Sequence, residues 1–297
     1  MRTPFLFPLL LSLSVPTAKS QTPPPTPLIV AHRGSSAQAP ENTLPAFQLA
    51  WKQGADAIEG DFQLTKDGHI VCFHDKDTKR VNGQQLAIAD ATLEELRQLD
   101  MGRIQPQDSE RALRSWTGDQ YKGVQMPTSA EVFATVPAGK KIFIEIKCGP
   151  EILDPLLHEL ASSGLTPDQV VVIGFDSALL KSLKDRDTKW QVAWLCSFDK
   201  KPTGKPRNAP ARVLKTLKDM RALALMSGGG EVDQGLLDQI RAAGIKHYVW
   251  TINDPTLAAT YRAQGVDAII TDLPAEMRVA LLGFIPAEYI ENRTNDL

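Results

Sequence analysis

The chain has 297 residues, 42% of them hydrophobic and 23% charged, which is the ordinary balance of a globular protein and enough chain for one large domain or two small ones. A formal charge of −2, with no run of basic residues, excludes a footprint for a phosphate backbone, so no nucleic-acid partner is expected. Cys72, Cys148 and Cys196 lie in or beside apolar runs with no C-x-x-C and no histidine at ligand spacing, which favours buried thiols over a bridge or a zinc site.

The first segment does not belong to the fold. Residues 1–20 carry one positive charge at Arg2, an apolar middle from Phe5 to Val15, and the small-x-small ending Ala18-Lys19-Ser20. That is the pattern of a signal peptide cut before Gln21. Pro8, Pro16 and the short length argue against a retained transmembrane helix, an uncleaved anchor being the alternative. The expectation is an exported protein, periplasmic or secreted, with no stable membrane insertion after cleavage. Residues 21–27, containing T-P-P-P-T-P, read as a stiff proline-rich spacer, and the domain proper runs over 28–297.

Short β-branched runs follow at Leu28–His32, Ala57–Thr65, Ile70–His74, Lys141–Lys147, Val170–Phe175, Trp190–Cys196, Ala222–Met226, His247–Ile252 and Ala268–Thr271. Helix-like segments such as Thr43–Gln53, Glu151–Ser162, Ser177–Asp185 and Gln234–Ala243 stand between them. Continuous apolar strands alternating with helices predict an α/β fold with a parallel sheet covered on both faces. Several strands end in polar groups, at His32-Arg33, Glu145-x-Lys147, Thr251-x-Asn253 and Thr271-Asp272. Chemistry at the carboxyl ends of many strands points to a (β/α)8 TIM barrel rather than to the single switch point of a doubly wound sheet.

Nine runs are one too many for that barrel. The excess is assigned to a hairpin, because Asp67-Gly68 separates the second and third runs. With those two residues as the loop, Lys66 pairs with His69 and Asp61 stands opposite His74. Alternation then places Glu59, Asp61 and His74 on one face, conditional on the turn type. Residues 76–140, rich in glycine and proline, hold one amphipathic helix from Leu93 to Leu99 behind a Thr92 cap. They read as a small insertion after the third strand that partly covers the site.

Glu59, Asp61 and Glu145 are acids at strand positions, where carboxylates are rarely buried unless paired or bound to a cation. Hard oxygen donors suit Mg²⁺ or Ca²⁺ rather than zinc; salt bridges to Arg33 and Lys147 are the equally weighted alternative. His32 and His74, beside an arginine and the carboxylates, can divide the two proton transfers that cleaving a phosphoester requires. Arg33 supplies the bidentate fork a phosphate wants, and Lys147 adds a point charge on the strand face of Glu145. His69, His158 and His247 lack such company and read as structural.

His32-Arg33-Gly34, Pro40-Glu41-Asn42-Thr43, Glu59-x-Asp61, Asp67-Gly68 with His74-Asp75, and Glu145-Ile146-Lys147 together resemble the glycerophosphodiester phosphodiesterase family. Trp250-Thr251-x-Asn253 and Ile270-Thr271-Asp272 match it as well, so the resemblance covers roughly residues 28 to 280. It implies hydrolysis of glycerophosphodiesters to glycerol 3-phosphate and an alcohol. His32 and His74 become the acid–base pair, and Glu59, Asp61 and Glu145 the ligands of one divalent cation. Arg33 and Lys147 hold the phosphate, and Trp250 lines the glycerol side. Glu41 and Asn42 fix the loop after the first strand and support His32. Gly60 departs mildly from the family, where a bulkier residue stands between the two acids; it is expected to face away from the site. A lysophospholipase D or phosphoinositide-type phospholipase on the same barrel is a second reading. A non-catalytic phosphodiester-binding protein is a third, from a different class.

Overall fold

The computed structural model describes residues 25–103, 115–116, 119–198, 208–228 and 232–282; the signal peptide expected at 1–20 and the expected spacer as far as residue 24 lie outside them. The strands are β1 (Leu28–Ala31), β2 (Ala57–Leu64), β3 (Ile70–Cys72), β4 (Lys141–Ile146), β5 (Val170–Gly174), β6 (Gln191–Ser197), β7 (Ala224–Gly228), β8 (Lys246–Val249) and β9 (Ala268–Thr271). All but β3 pair in parallel with their neighbours, and β1 bonds to both β2 and β9. That pairing closes the sheet into the barrel. β3 runs antiparallel on β2 and takes no part in the closure, which accounts for the ninth run.

The helices are α1 (Leu44–Lys52), α2 (Lys79–Asn82), α3 (Leu93–Arg97), α4 (Ser129–Phe133), α5 (Leu153–Ser162), α6 (Ser177–Arg186), α7 (Pro210–Asp219), α8 (Gln234–Ala242), α9 (Pro255–Ala263) and α10 (Pro274–Leu282). The sequence states where several of them begin. Thr43, Asp176, Asp233 and Asp254 each accept a first-turn N–H at the cap, and proline leads α7, α9 and α10. Strand residues pointing outward, among them Ile58, Ile142 and Val172, pack with the helices in one core. Those pointing inward, among them Val30, Phe143, Tyr248 and Ile270, fill the barrel. Both faces are buried, so the strands read as unbroken apolar runs.

Within residues 76–140, α2 and α3 contribute to a small core of their own, in which Val81, Ile88, Leu96 and Met126 pack with Val71 and Phe73, whereas Val132 and Phe133 of α4 join the core between strands and helices. The segment is stitched to the hairpin by Cys72 N–H donating to the Pro127 carbonyl at 2.9 Å. The three cysteines are free thiols, with Cys72 and Cys196 buried.

Candidate active site

Alternation builds the site one layer above the apolar filling. Val30, Phe143, Tyr248 and Ile270 point inward, so the residues two further along, His32, Glu145, Trp250 and Asp272, face the same interior at its carboxyl end. There a cavity of about 180 Å³ is lined on one side by His32, Arg33, Glu59, His74, Glu145 and Lys147. Its other side is apolar, with Phe175, Leu195, Met226 and Trp250 among its members. Seven of the eight predicted site residues therefore share one cavity; Asp61 sits just behind it, 1% exposed. Among the described residues, none of those lining the cavity comes from 76–140.

The hairpin register is not the predicted one. Phe62 faces Cys72 and Leu64 faces Ile70, so Asp61 lies opposite Phe73, not His74. The loop has three residues, Lys66-Asp67-Gly68, closed by Thr65 N–H on the His69 carbonyl at 2.9 Å, with Gly68 at φ +83°. Lys66 is drawn out of the ladder because its N–H donates to the Ala91 carbonyl of the neighbouring segment. With that register, alternation would put His74 behind the sheet with Cys72. Instead β3 stops at Cys72, and buried Gln63 donates through Nε2 to the carbonyls of both Phe73 and Asp75, each at 2.7 Å. That clamp turns His74 into the cavity.

Each imidazole is held at Nδ1 by a carboxylate. His32 Nδ1 is 2.7 Å from Asp272 Oδ1, and His74 Nδ1 is 2.7 Å from Asp75 Oδ1. Donation from Nδ1–H leaves Nε2 of each ring for the cavity. Asp272 also accepts from Ser36 Oγ at 2.8 Å and from Asn253 Nδ2 at 2.6 Å. Burial alone would raise the Asp272 carboxyl, but its bonds to His32, Asn253 and Ser36 hold it down at about 2. For His32, burial and the nearby Arg33 charge lower the pKa, while Asp272 and Glu59 raise it and win.

Asn42 does not support His32. Its Nδ2 donates to Asp61 Oδ2 at 2.8 Å and its Oδ1 accepts the Asp61 N–H at 3.1 Å, so it holds an acid. Glu41 pairs with arginines, Arg33 at 3.3 Å and Arg80 at 2.6 Å. Gly34 is required by packing, since a Cβ there would lie 2.6 Å from the Ala46 backbone of α1. Gly60 does face away from the cavity, against Cys72, Phe47 and Phe62.

Glu59, Asp61 and Glu145 bring their oxygens within 4.8 Å of one another. Salt bridges account for part of this cluster: Asp61 meets Arg33 Nε at 3.2 Å and Lys147 Nζ at 3.6 Å, and Glu145 meets Lys147 at 2.9 Å. They do not satisfy it. Glu59 Oε1 and Asp61 Oδ1 are buried and make no hydrogen bond. Burial and then the Asp61 charge push the carboxyls of Glu59 and Glu145 up, whereas Arg33 and Lys147 overcome burial to hold Asp61 down. Orphaned anionic oxygens converging from three strand positions fit a hard divalent cation.

The roles of Asp75, Gln63, Arg80, Asn253 and Asp272 were not assigned from sequence. Asp75, Asn253 and Asp272 stood in the quoted motifs, and only a third-dimension neighbour gives each its task. Phe175, half exposed at the mouth and edge-on to Trp250 at 5.7 Å, had no sequence signal beyond its place at a strand end.

A closed (β/α)8 barrel with two carboxylate-held imidazoles, an arginine and lysine pair and a carboxylate triad at one end defines a barrel phosphoric diester hydrolase. Residues 32–276 match the model of the glycerophosphoryl diester phosphodiesterase family, and the chain belongs to that family. It is 31% identical over 256 residues to the glycerophosphodiester phosphodiesterase of Caldanaerobacter subterraneus, covering 83% of this chain and 94% of that one. A phosphodiesterase structure from Oleispira antarctica, in complex with the product sn-glycerol-3-phosphate, is similar at 28% identity and a TM-score of 0.72, covering 86% of this chain and 96% of the other. The Thermotoga maritima glycerophosphodiester phosphodiesterase structure is similar at 29% identity and a TM-score of 0.64, with 84% and 96% covered.

Proposed function

We propose that the protein hydrolyses glycerophosphodiesters to glycerol 3-phosphate and an alcohol, by acid–base catalysis between His32 and His74, with one Mg²⁺ or Ca²⁺ held by Glu59, Asp61 and Glu145. The observation that carries this is the pair of imidazoles in one cavity, each tied at Nδ1 to an aspartate, with Arg33, Lys147, Glu59 and Glu145 lining the same cavity. Arg33 and Lys147 grip the non-bridging oxygens of the phosphodiester. One Nε2 takes the proton of the attacking oxygen, from water or the glycerol 2-hydroxyl. As that oxygen bonds to phosphorus, the bond to the leaving alcohol breaks and the second imidazole gives the alcohol its proton; where the 2-hydroxyl attacks, this step leaves a cyclic phosphate, which water then opens to glycerol 3-phosphate with the two imidazoles exchanging roles. The family resemblance favours His32 as base and His74 as acid. The chemistry a bound cation supplies is neutralisation of charge on the phosphate. The apolar wall at Trp250 and Phe175 receives the carbon skeleton of the glycerol.

Export through the leader at 1–20, to the periplasm or the medium, belongs to the same proposal. The deciding experiment is release of glycerol 3-phosphate from glycerophosphodiesters, with lysophosphatidylcholine alongside, in the presence and absence of Mg²⁺ and of Ca²⁺. His32→Ala and His74→Ala should each lower turnover about 10²–10⁴-fold. A near wild-type rate in either variant, or activity untouched by chelation, would remove the corresponding part of the proposal.

A further inference from the structure

Arg80, on α2 outside the barrel, does not line the cavity, yet its guanidinium is part of a continuous chain of charge into it. Its Nε donates to Asp75 Oδ2 at 2.5 Å, on the carboxylate whose other oxygen holds His74. Its Nη2 donates to Glu41 Oε1 at 2.6 Å, and that same oxygen accepts from Arg33 Nη1 at 3.3 Å. Glu41 is nearly buried, at 8% side-chain exposure, and Arg80 is 21% exposed. The order of contacts is therefore His74, Asp75, Arg80, Glu41, Arg33, Asp61, with opposite charges alternating from Asp75 onward.

We infer that Arg80 is a positioning residue for His74, setting the imidazole in register with the phosphate-gripping Arg33 through Glu41. This rests on the reading of His74 as a proton-transfer group. The physical reason is the rigidity of the guanidinium fork. His74 lies beyond the end of β3, so no ladder fixes its side chain, and a free Asp75 carboxylate could rotate and carry the ring with it. Bonds from one planar group to both Asp75 and Glu41, the latter gripped through Nη2 and, at 3.4 Å, through Nη1, remove that freedom. Lysine, a point charge on a flexible stem, can replace one of these contacts but not both in a fixed plane. A displacement of about 1 Å in a proton-transfer group is enough to cost on the order of 10²-fold in rate.

The test compares Arg80→Ala, Arg80→Gln and Arg80→Lys in the wild-type and His74→Ala backgrounds. It measures kcat and KM for glycerophosphocholine, and thermal unfolding of each variant. In the wild-type background, Arg80→Ala and Arg80→Gln should lower kcat about 10–10²-fold, with KM changed less than threefold. Arg80→Lys should recover part of the loss, and added guanidinium should partly rescue Arg80→Ala. In the His74→Ala background the same substitutions should cost nothing further. Equal losses in both backgrounds would overturn the inference and give Arg80 a general structural role, as would an undiminished kcat in folded Arg80→Gln. If His74→Ala itself kept full activity, the failure would lie with the acid–base reading instead.

Discussion

Asp272→Asn isolates what holds His32. In the native site Asp272 Oδ1 faces His32 and Ser36, and Oδ2 faces Asn253 Nδ2. Asn253 cannot turn to accommodate an amide, because its Oδ1 already accepts from Thr271 Oγ1 and from the Asp272 N–H, both at 2.9 Å. The new amide oxygen must therefore face Asn253, which aims its NH₂ at His32 Nδ1. The ring then accepts at Nδ1 and carries its proton on Nε2, the wrong tautomer for a base. The fall in kcat should be about 10²–10⁴-fold, with KM nearly unchanged.

Stability gives a second, independent readout. The carboxyl lies at about 2 instead of the ordinary 3.8, and at about 1.4 kcal/mol per tenfold change in proton affinity this contributes roughly 2 kcal/mol. A depressed carboxyl pKa stabilises fully above the unfolded value, and the contribution is lost as pH falls through the folded one. Urea unfolding from pH 5 to 2 should therefore show an acid loss of about 2 kcal/mol in the native protein that is missing from the variant. A kcat within threefold of native, together with an unchanged acid slope, would refute the tautomer argument.

Glu59→Gln removes one of three crowded acids. Its chelated form should melt above the chelated native protein, and the rise in melting temperature on adding Mg²⁺ or Ca²⁺ should shrink. A metal-induced rise as large as the native one would count against the triad as ligand set. His247 is a buried residue of β8, bonded through Nε2 to Ser227 Oγ at 2.7 Å, and burial lowers its pKa to about 4. Because the unfolded chain then binds the proton first, stability should fall by about 3 kcal/mol from pH 6.5 to 4, and His247→Gln should flatten that slope in chemical denaturation. Gly228→Ala would set a Cβ 2.5 Å from the Trp250 ring; the displaced indole should raise KM severalfold with the fold retained by circular dichroism, and an unchanged KM would dissociate Trp250 from substrate.

What the sequence by itself determined is the class of architecture and most of the reactive groups. Unbroken apolar strands between helices imply a parallel sheet covered on both faces, and charged residues at the tips of separate strands imply a barrel mouth. Period-two alternation is a local property, so Glu59 with Asp61 and Glu145 with Lys147 were readable as pairs before any coordinates. Tertiary structure decided the rest. The hairpin register turned on one N–H of Lys66 being taken by Ala91, a partner 25 residues away in a segment with no strand pattern. His74 reaches the cavity through Gln63 rather than through alternation, and His32 is held by an aspartate 240 residues distant. Such partners are chosen by where the closed barrel brings its two ends together. Nothing in the local chemistry of an aspartate or an arginine states which neighbour it will meet.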